Sequence, residues 1–549
     1  MQLNAAKCLL MPPPEVGLGA FRVPARLAKH CVLPTDGVLP GLGAPIGPQE
    51  CCRAAAAQWG VKVCDTVRRI GSLPDPIHVA QALAVAGGWS RLEYRCSAAE
   101  DSELPLGLAA AVEAADATTL CGALGTHGRR FHSLAWAQAT LPRRLGGLGI
   151  PSATREAREC RDRARLRIAA RAAGPRAFAE HRRDTRDARE AGDLLMLQRV
   201  ILPCVDCRDR ARLAELRASK GAALRWLSLP LGPGDLLEPS ASAAVLAMVL
   251  GVEVVHAPDA CCQHSCVANG VPKPLDGAHL LGCKRVVAPR HNLARDSLVR
   301  SLSALTRLRT VVEAGVSRDG QPERVGWTAR SAARARRPID VGFRGASSRC
   351  WLTMDVCCAS HEDPLVLRRL AGGDGLAAAE AAYRSKTAQG ARSADVARLR
   401  TAGNEWVPIG LGPFGSMARR TAAVVRRAAR MADADADYDA VAGEPDRAAL
   451  ALGRLSLAAI TGAARAVAGA REDVLLAPWR SGAPAAPDAW PDPVAGWARA
   501  EEPSDADERT LLENARRPRD LADLVREGRG AEAEMRARPP VLQARPDAG

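Results

Sequence analysis

Between His291 and Met431 the spacing of apolar residues changes in a fixed order: helix, three strands, helix, strand, helix. Leu293, Leu298, Leu302, Leu305 and Leu308 recur at helical spacing over His291 to Leu308. Thr310–Glu313, Pro338–Phe343 and Trp351–Val356 alternate apolar and polar residues, as half-buried strands do. Ala377–Arg400 reads as a helix, Trp406–Gly410 as a strand and Met417–Met431 as a helix. With the helical patterns that precede this block, the expected class is α+β, multidomain and helix-rich.

A chain of 549 residues with 47% hydrophobic content has room for two to four domains and a sizeable core. Aromatic residues make up 3%, so Ala, Leu and Val must fill that core, with ten Trp as occasional anchors. The net charge of +15 and pI near 9.4 fit a polyanionic partner, because each phosphate neutralised releases counterions. An Arg/Ala-rich coding bias explains the same excess. Seventeen cysteines, an odd number clustered near His, fit reduced thiols and metal better than a disulfide framework, and so an intracellular protein. Met1–Pro14 lacks a basic segment leading into an apolar one, and no run of eighteen apolar residues follows; secretion and membrane spanning are not expected.

Residues 1–65 read as short extended pieces broken by Pro and Gly, and Glu50–Thr140 as mainly helical up to the bend Leu141–Ile150. Arg143 and Arg144 at that bend suit either a phosphate backbone or an ordinary helix-ending loop. Arg158, Arg161, Arg163, Arg165 and Arg167 lie in an Arg-dense helical stretch over 151–228, a solvated ion-paired face or a nucleic-acid contact. Ala448–Ala468 reads as a helix, and 481–549 as largely disordered with one helix near Leu511–Arg526.

Two groups of residues carry chemistry. Cys262-x3-Cys266 and His279-x3-Cys283 offer four zinc ligands, and the loop between them contains Gly270, Pro272, Pro274 and Gly277, suited to folding back. Cys261, His264 and His291 compete for the same role, and an incidental cysteine cluster is the plainer alternative. Downstream, Asp340 and Asp355 fall in what should be adjacent strands, where both carboxylates can reach one Mg²⁺. Met354 and Val356 flank Asp355, so its side chain should face away from the core. Lys386, one helical turn beyond Tyr383, can orient a water or offset charge at phosphate, and Glu313 is a weaker fourth member. Ordinary surface carboxylates explain the spacing too.

Taken in order, several stretches resemble the polyproteins of non-LTR retrotransposons. Leu3-Asn-Ala-Ala-Lys-Cys8, Leu42–Gly47 and Arg144–Ile150 are similar to segments that follow the reverse transcriptase catalytic aspartates. Asp276–His279, Cys283 and Arg290–Asp296 resemble the zinc knuckle and entry helix of elements with a restriction-like endonuclease. Arg337-Pro-Ile-Asp340, Asp355-Val356, Tyr383, Lys386 and Trp406–Gly415 continue the likeness. It covers most of residues 1–470, and the order is more specific than any one motif.

The resemblance implies a palm-end remnant of the polymerase over 1–65, a thumb-like helical region over 66–150 and an Arg-rich connector over 151–255. A zinc knuckle (256–290), the endonuclease domain (291–470) and a largely disordered tail (471–549) follow. It implies structural Zn²⁺ on Cys262, Cys266, His279 and Cys283, and catalytic Mg²⁺ on Asp340 and Asp355 with Lys386 and Glu313. DNA and the element's RNA are the implied partners, and the nucleus the implied location. Two departures matter. No Asp-Asp dipeptide occurs, so reverse transcription by this chain is not expected, and residue 357 is Cys where the common nuclease motif has Lys. The leading expectation is a truncated transposable-element protein that binds nucleic acid and nicks DNA. The alternative is a non-catalytic nucleic-acid-binding remnant or a decayed, inactive product.

Overall fold

Gln49 opens a long run of helices: α1 (Gln49–Gly71), α2 (Pro76–Ala86), α3 (Gly88–Ala98), α4 (Leu104–Ala123), α5 (Ser133–Ala139), α6 (Ala153–Ala172), α7 (Pro175–Leu195), α8 (Cys207–Gly221) and α9 (Pro239–Leu250). The computed structural model describes residues 49–98, 104–228, 237–252, 284–303, 309–324, 338–345, 348–361, 363–434 and 446–480, with six short strands elsewhere. Those strands pair as β1 (Cys8–Leu9) with β2 (Cys31–Val32), β3 (Leu39–Gly41) with β4 (Ala44–Ile46), and β5 (Val267–Ala268) with β6 (Val271–Pro272). Several helix starts are legible as caps. Asp75, Ser152 and Asp206 each accept a backbone N–H in the first turn of the helix that follows.

α10 (Lys284–Ser303) leads into the sheet of β7 (Arg309–Val316), β8 (Pro322–Arg324), β9 (Ile339–Arg344), β10 (Leu352–Cys358) and β11 (Glu405–Leu411). Between the last two strands run α11 (Pro364–Ala371), α12 (Ala377–Ala391) and α13 (Ala394–Thr401); α14 (Arg419–Ala434) and α15 (Arg447–Arg480) follow. The strand order is β11-β10-β9-β7-β8, with β10 and β11 parallel and the other neighbours antiparallel. The fold is therefore helix-rich α+β with one small mixed sheet. One expected helix, Ala377–Arg400, is two: Ser393 caps α13 by accepting the Val396 N–H, and a new helix starts there.

Two large apolar cores result, beside three smaller clusters. The first gathers Val67, Leu83, Trp89, Leu120, Trp226 and Leu246, so segments 66–150 and 151–255 share one interior. The second packs Leu298 and Leu302 of α10 and Val425 of α14 against Phe343, Met354 and Ile409 of the sheet. α15 serves both. Its residues Leu457, Ile460 and Ala463 enter the first core, while Ala451, Leu455 and Ala459 enter the second. This helix continues to Arg480, past the expected tail boundary at 471. No helix among the described residues is long and apolar enough to cross a membrane.

A buried polar clamp ties the same two parts together. Glu215 of α8 is fully buried; its Oε1 accepts the Phe414 N–H at 2.8 Å, and its Oε2 lies 2.7 Å from His361 Nε2. Gly412 is required there, because a Cβ at that position would lie 2.1 Å from Glu215 Oε1. Ser456 Oγ of α15 lies 2.6 Å from the Ala223 carbonyl and 3.0 Å from that of Gly415, closing the same junction.

A second buried carboxylate makes stability depend on pH. Both oxygens of Asp116 accept the Gly88 N–H at 3.1 Å, at the start of α3. Burial pushes its pKa up to about 7, against the pull of that N–H and with help from Glu113. The folded form therefore holds a proton that the unfolded chain releases near pH 4, so the group's cost grows as pH rises from about 4 to about 7 and is constant above. Asp116→Asn is expected to flatten this dependence, stabilising the fold at pH 8 by up to about 4 kcal/mol and changing little near pH 4. Urea denaturation at both pH values checks it; equal pH dependence in the two proteins would refute it.

Candidate active site

The β9–β10 ladder runs through Leu352↔Phe343 and Thr353↔Gly342 to Met354↔Val341. Asp340 and Asp355 are the next residues along, at the point where regular pairing stops. Both are buried. Asp340 Oδ2 accepts the Val356 N–H at 2.6 Å, and Asp340 Oδ1 lies 3.0 Å from Nε2 of His291 on α10. On the other side, Lys386 Nζ of α12 is 3.2 Å from Asp355 Oδ1.

Charge is concentrated here. Burial pushes the Asp355 pKa up to about 7; the neighbouring Asp340 carboxyl raises it further and the Lys386 ammonium opposes both. At His291, burial lowers the pKa, but the bond to Asp340 and the charges of Asp340 and Asp355 outweigh it, and the net shift is upward. Two adjacent, desolvated carboxyl groups of this kind are held apart electrostatically until a proton or a cation sits between them.

Local sequence explains the placement. Met354 and Val356 point into the second core, which turns Asp355 toward the opposite face. Gly410 of β11 lets α12 approach the sheet closely, since a Cβ there would lie 2.5 Å from the Ala379 carbonyl oxygen and 2.8 Å from Tyr383 Cβ. Lys386 follows Tyr383 by one turn and so reaches over β11 to β10. Any longer residue at 410 would lift that helix away.

The structure thus brings Asp340, Asp355 and Lys386 together. Glu313 is bracketed by the pairs Val312↔Val341 and Ala314↔Ile339, across the ladder from Asp340, with φ of 48° and its carboxylate engaged by Arg295. Cys357 does not take the place of the motif's Lys. Its half-buried thiol donates to the Ile409 carbonyl, and burial raises its pKa. Cys262, Cys266, His279 and Cys283 lie outside the described residues, although the β5–β6 reversal begins immediately after Cys266. Arg143 and Arg144 are half-buried and engaged within the chain, by Ser228 and by Glu190 and Asp193, which favours the loop reading of that bend.

Comparison with protein-family models and with curated proteins finds no match to this chain.

His291 was not expected at this site, having been weighed only as a zinc ligand. The signal was present: it shares a helix face with Ala294, Leu298 and Leu302, all buried against the sheet. Among the described residues no three His, Cys, Asp or Glu side chains form a group that would hold a metal ion unaided. A cation here would rest on the two aspartates and complete its shell with water and phosphate oxygens, the usual habit of Mg²⁺.

Proposed function

We propose that this chain derives from a non-LTR retrotransposon and nicks DNA by magnesium-dependent phosphodiester hydrolysis. The observation that carries the reading is the convergence of Asp340, Asp355 and Lys386, drawn from two strands and a helix, around two facing carboxyl groups. A bound Mg²⁺ would polarise the phosphate and make water a better nucleophile. Asp340 and Asp355 would hold it. His291 and the Val356 N–H fix the two oxygens of Asp340 in one orientation, so that carboxylate needs no rearrangement. Lys386 places a positive charge beside Asp355, where a phosphate oxygen would gather charge during hydrolysis.

Structural Zn²⁺ on Cys262, Cys266, His279 and Cys283, element RNA as a second partner and a nuclear location belong to the same proposal. The purified protein is expected to convert supercoiled plasmid to open circles with Mg²⁺ and to stop when the cation is chelated. Lys386→Ala is expected to slow this by about 10²-fold while DNA affinity changes little. Nicking that survives chelation, or is indifferent to Lys386, would count against the site.

A further inference from the structure

The Arg-dense connector contains a structure that no core explains. α6 and α7 form a hairpin around Gly174, and the ion pairs Arg155–Asp193 at 3.0 Å and Glu156–Arg189 at 2.7 Å give an antiparallel register. Arg171 stacked on Phe178 at 5.3 Å continues that register toward the turn. Beyond the ion pairs the hairpin leaves the body of the protein: α7 buries no residue along its length, and 165–174 bury none either.

This distal part is strongly basic. From Arg163 to Arg183 there are seven arginines and one acidic residue, Glu180. Arg163 is paired with Glu156 and Arg176 with Glu180. Arg165, Arg167, Arg182 and Arg183 are exposed and have no ion pair among the described residues. The register sets Arg165 level with Arg182 and Arg183, about 12 Å from the turn at 1.5 Å per residue, with Arg167 less than one turn away. Leu166 and Ile168 beside them are 59% and 68% exposed, so nothing among the described residues covers this level of the arm.

We propose that this arm is a docking surface for the phosphate backbone of duplex DNA, gripping it away from the cleavage site through Arg165, Arg167, Arg182 and Arg183. Exposed arginines outnumber the neighbouring Asp162, Glu180 and Asp184 on this protruding pair of helices, and the net positive charge they leave is the kind a polyanion offsets. A duplex is the occupant because the arm lacks a stacking platform. Phe178 is its one Phe, Tyr or Trp, and Arg171 covers that ring; His181 is the arm's other ring, so unstacked bases of a single strand find no extended stacking platform. The choice of DNA rests on the nuclease reading given above.

The test measures binding of the full-length Asp355→Asn chain to a fluorescent DNA duplex by anisotropy across a salt series, so the result does not depend on whether the nuclease is active. Replacing Arg165, Arg167, Arg182 and Arg183 together by Ala is expected to weaken binding roughly 10- to 100-fold at about 100 mM salt and to flatten the log–log salt slope by about 3. The matching fourfold Lys variant, with the same fold and charge, is expected to keep most of the affinity. Unchanged affinity and slope in the Ala variant would overturn the proposal, as would a loss confined to single-stranded RNA, or a Lys variant as weak as the Ala one. Duplex binding through the arm by a wild-type chain that never nicks would leave the arm standing and remove only the nuclease.

Discussion

Asp355→Asn and, separately, Asp340→Asn are expected to lower magnesium-dependent nicking of supercoiled plasmid by at least about 10³-fold. Asn keeps the shape of each side chain, and at 340 it can still accept the Val356 N–H, so the substitution removes charge rather than structure. A cation coordinated by two anionic oxygens loses one of them. Stability separates this from a structural role: Asp355 is an acid that burial and Asp340 already push up to about 7, so its neutral replacement should leave the metal-free fold as stable or more so at pH 8. Equal nicking by wild type and both variants removes the nuclease assignment. A marked fall in melting temperature with Asp355→Asn would recast the pair as structural.

The second large effect is expected at Glu215, far from that chemistry. Glu215→Ala leaves the Phe414 N–H and the buried His361 ring without their partner and opens a hole beside Gly412. Leaving two buried hydrogen-bonding groups without their partner costs about 1–3 kcal/mol for each. Glu215→Gln, which still accepts the N–H, should lose less. Chemical denaturation monitored by far-ultraviolet circular dichroism measures both, and an Ala variant within about 1 kcal/mol of wild type would show that the clamp contributes little.

The strands of the sheet are legible because Pro338–Phe343 and Trp351–Val356 alternate apolar and polar residues, and these, with Thr310–Glu313 and Trp406–Gly410, each lie within or overlap an observed strand. Asp340 and Asp355 could be placed in neighbouring strands for the same reason. Their junction with Lys386 could not be read in detail, since it depends on how near α12 comes to β11, a distance set by the missing side chain of Gly410. Glu215 was invisible to pattern reading. It sits in a helix whose residues 211–216 are all buried, and its partners come from His361 and from residues 412–416, about 200 positions downstream. The glycines of Leu411-Gly-Pro-Phe-Gly415, noticed as part of a resemblance, have that carboxylate and Ser456 as their physical cause.

The double duty of α15 sets the order in which the protein can mature on the ribosome. The interior that begins with α1 is completed by Leu457, Ile460 and Ala463, so the earliest-made half waits for one of the latest-made helices. Until that helix emerges, both cores lack one wall, so the two interiors close together, at a late point in synthesis.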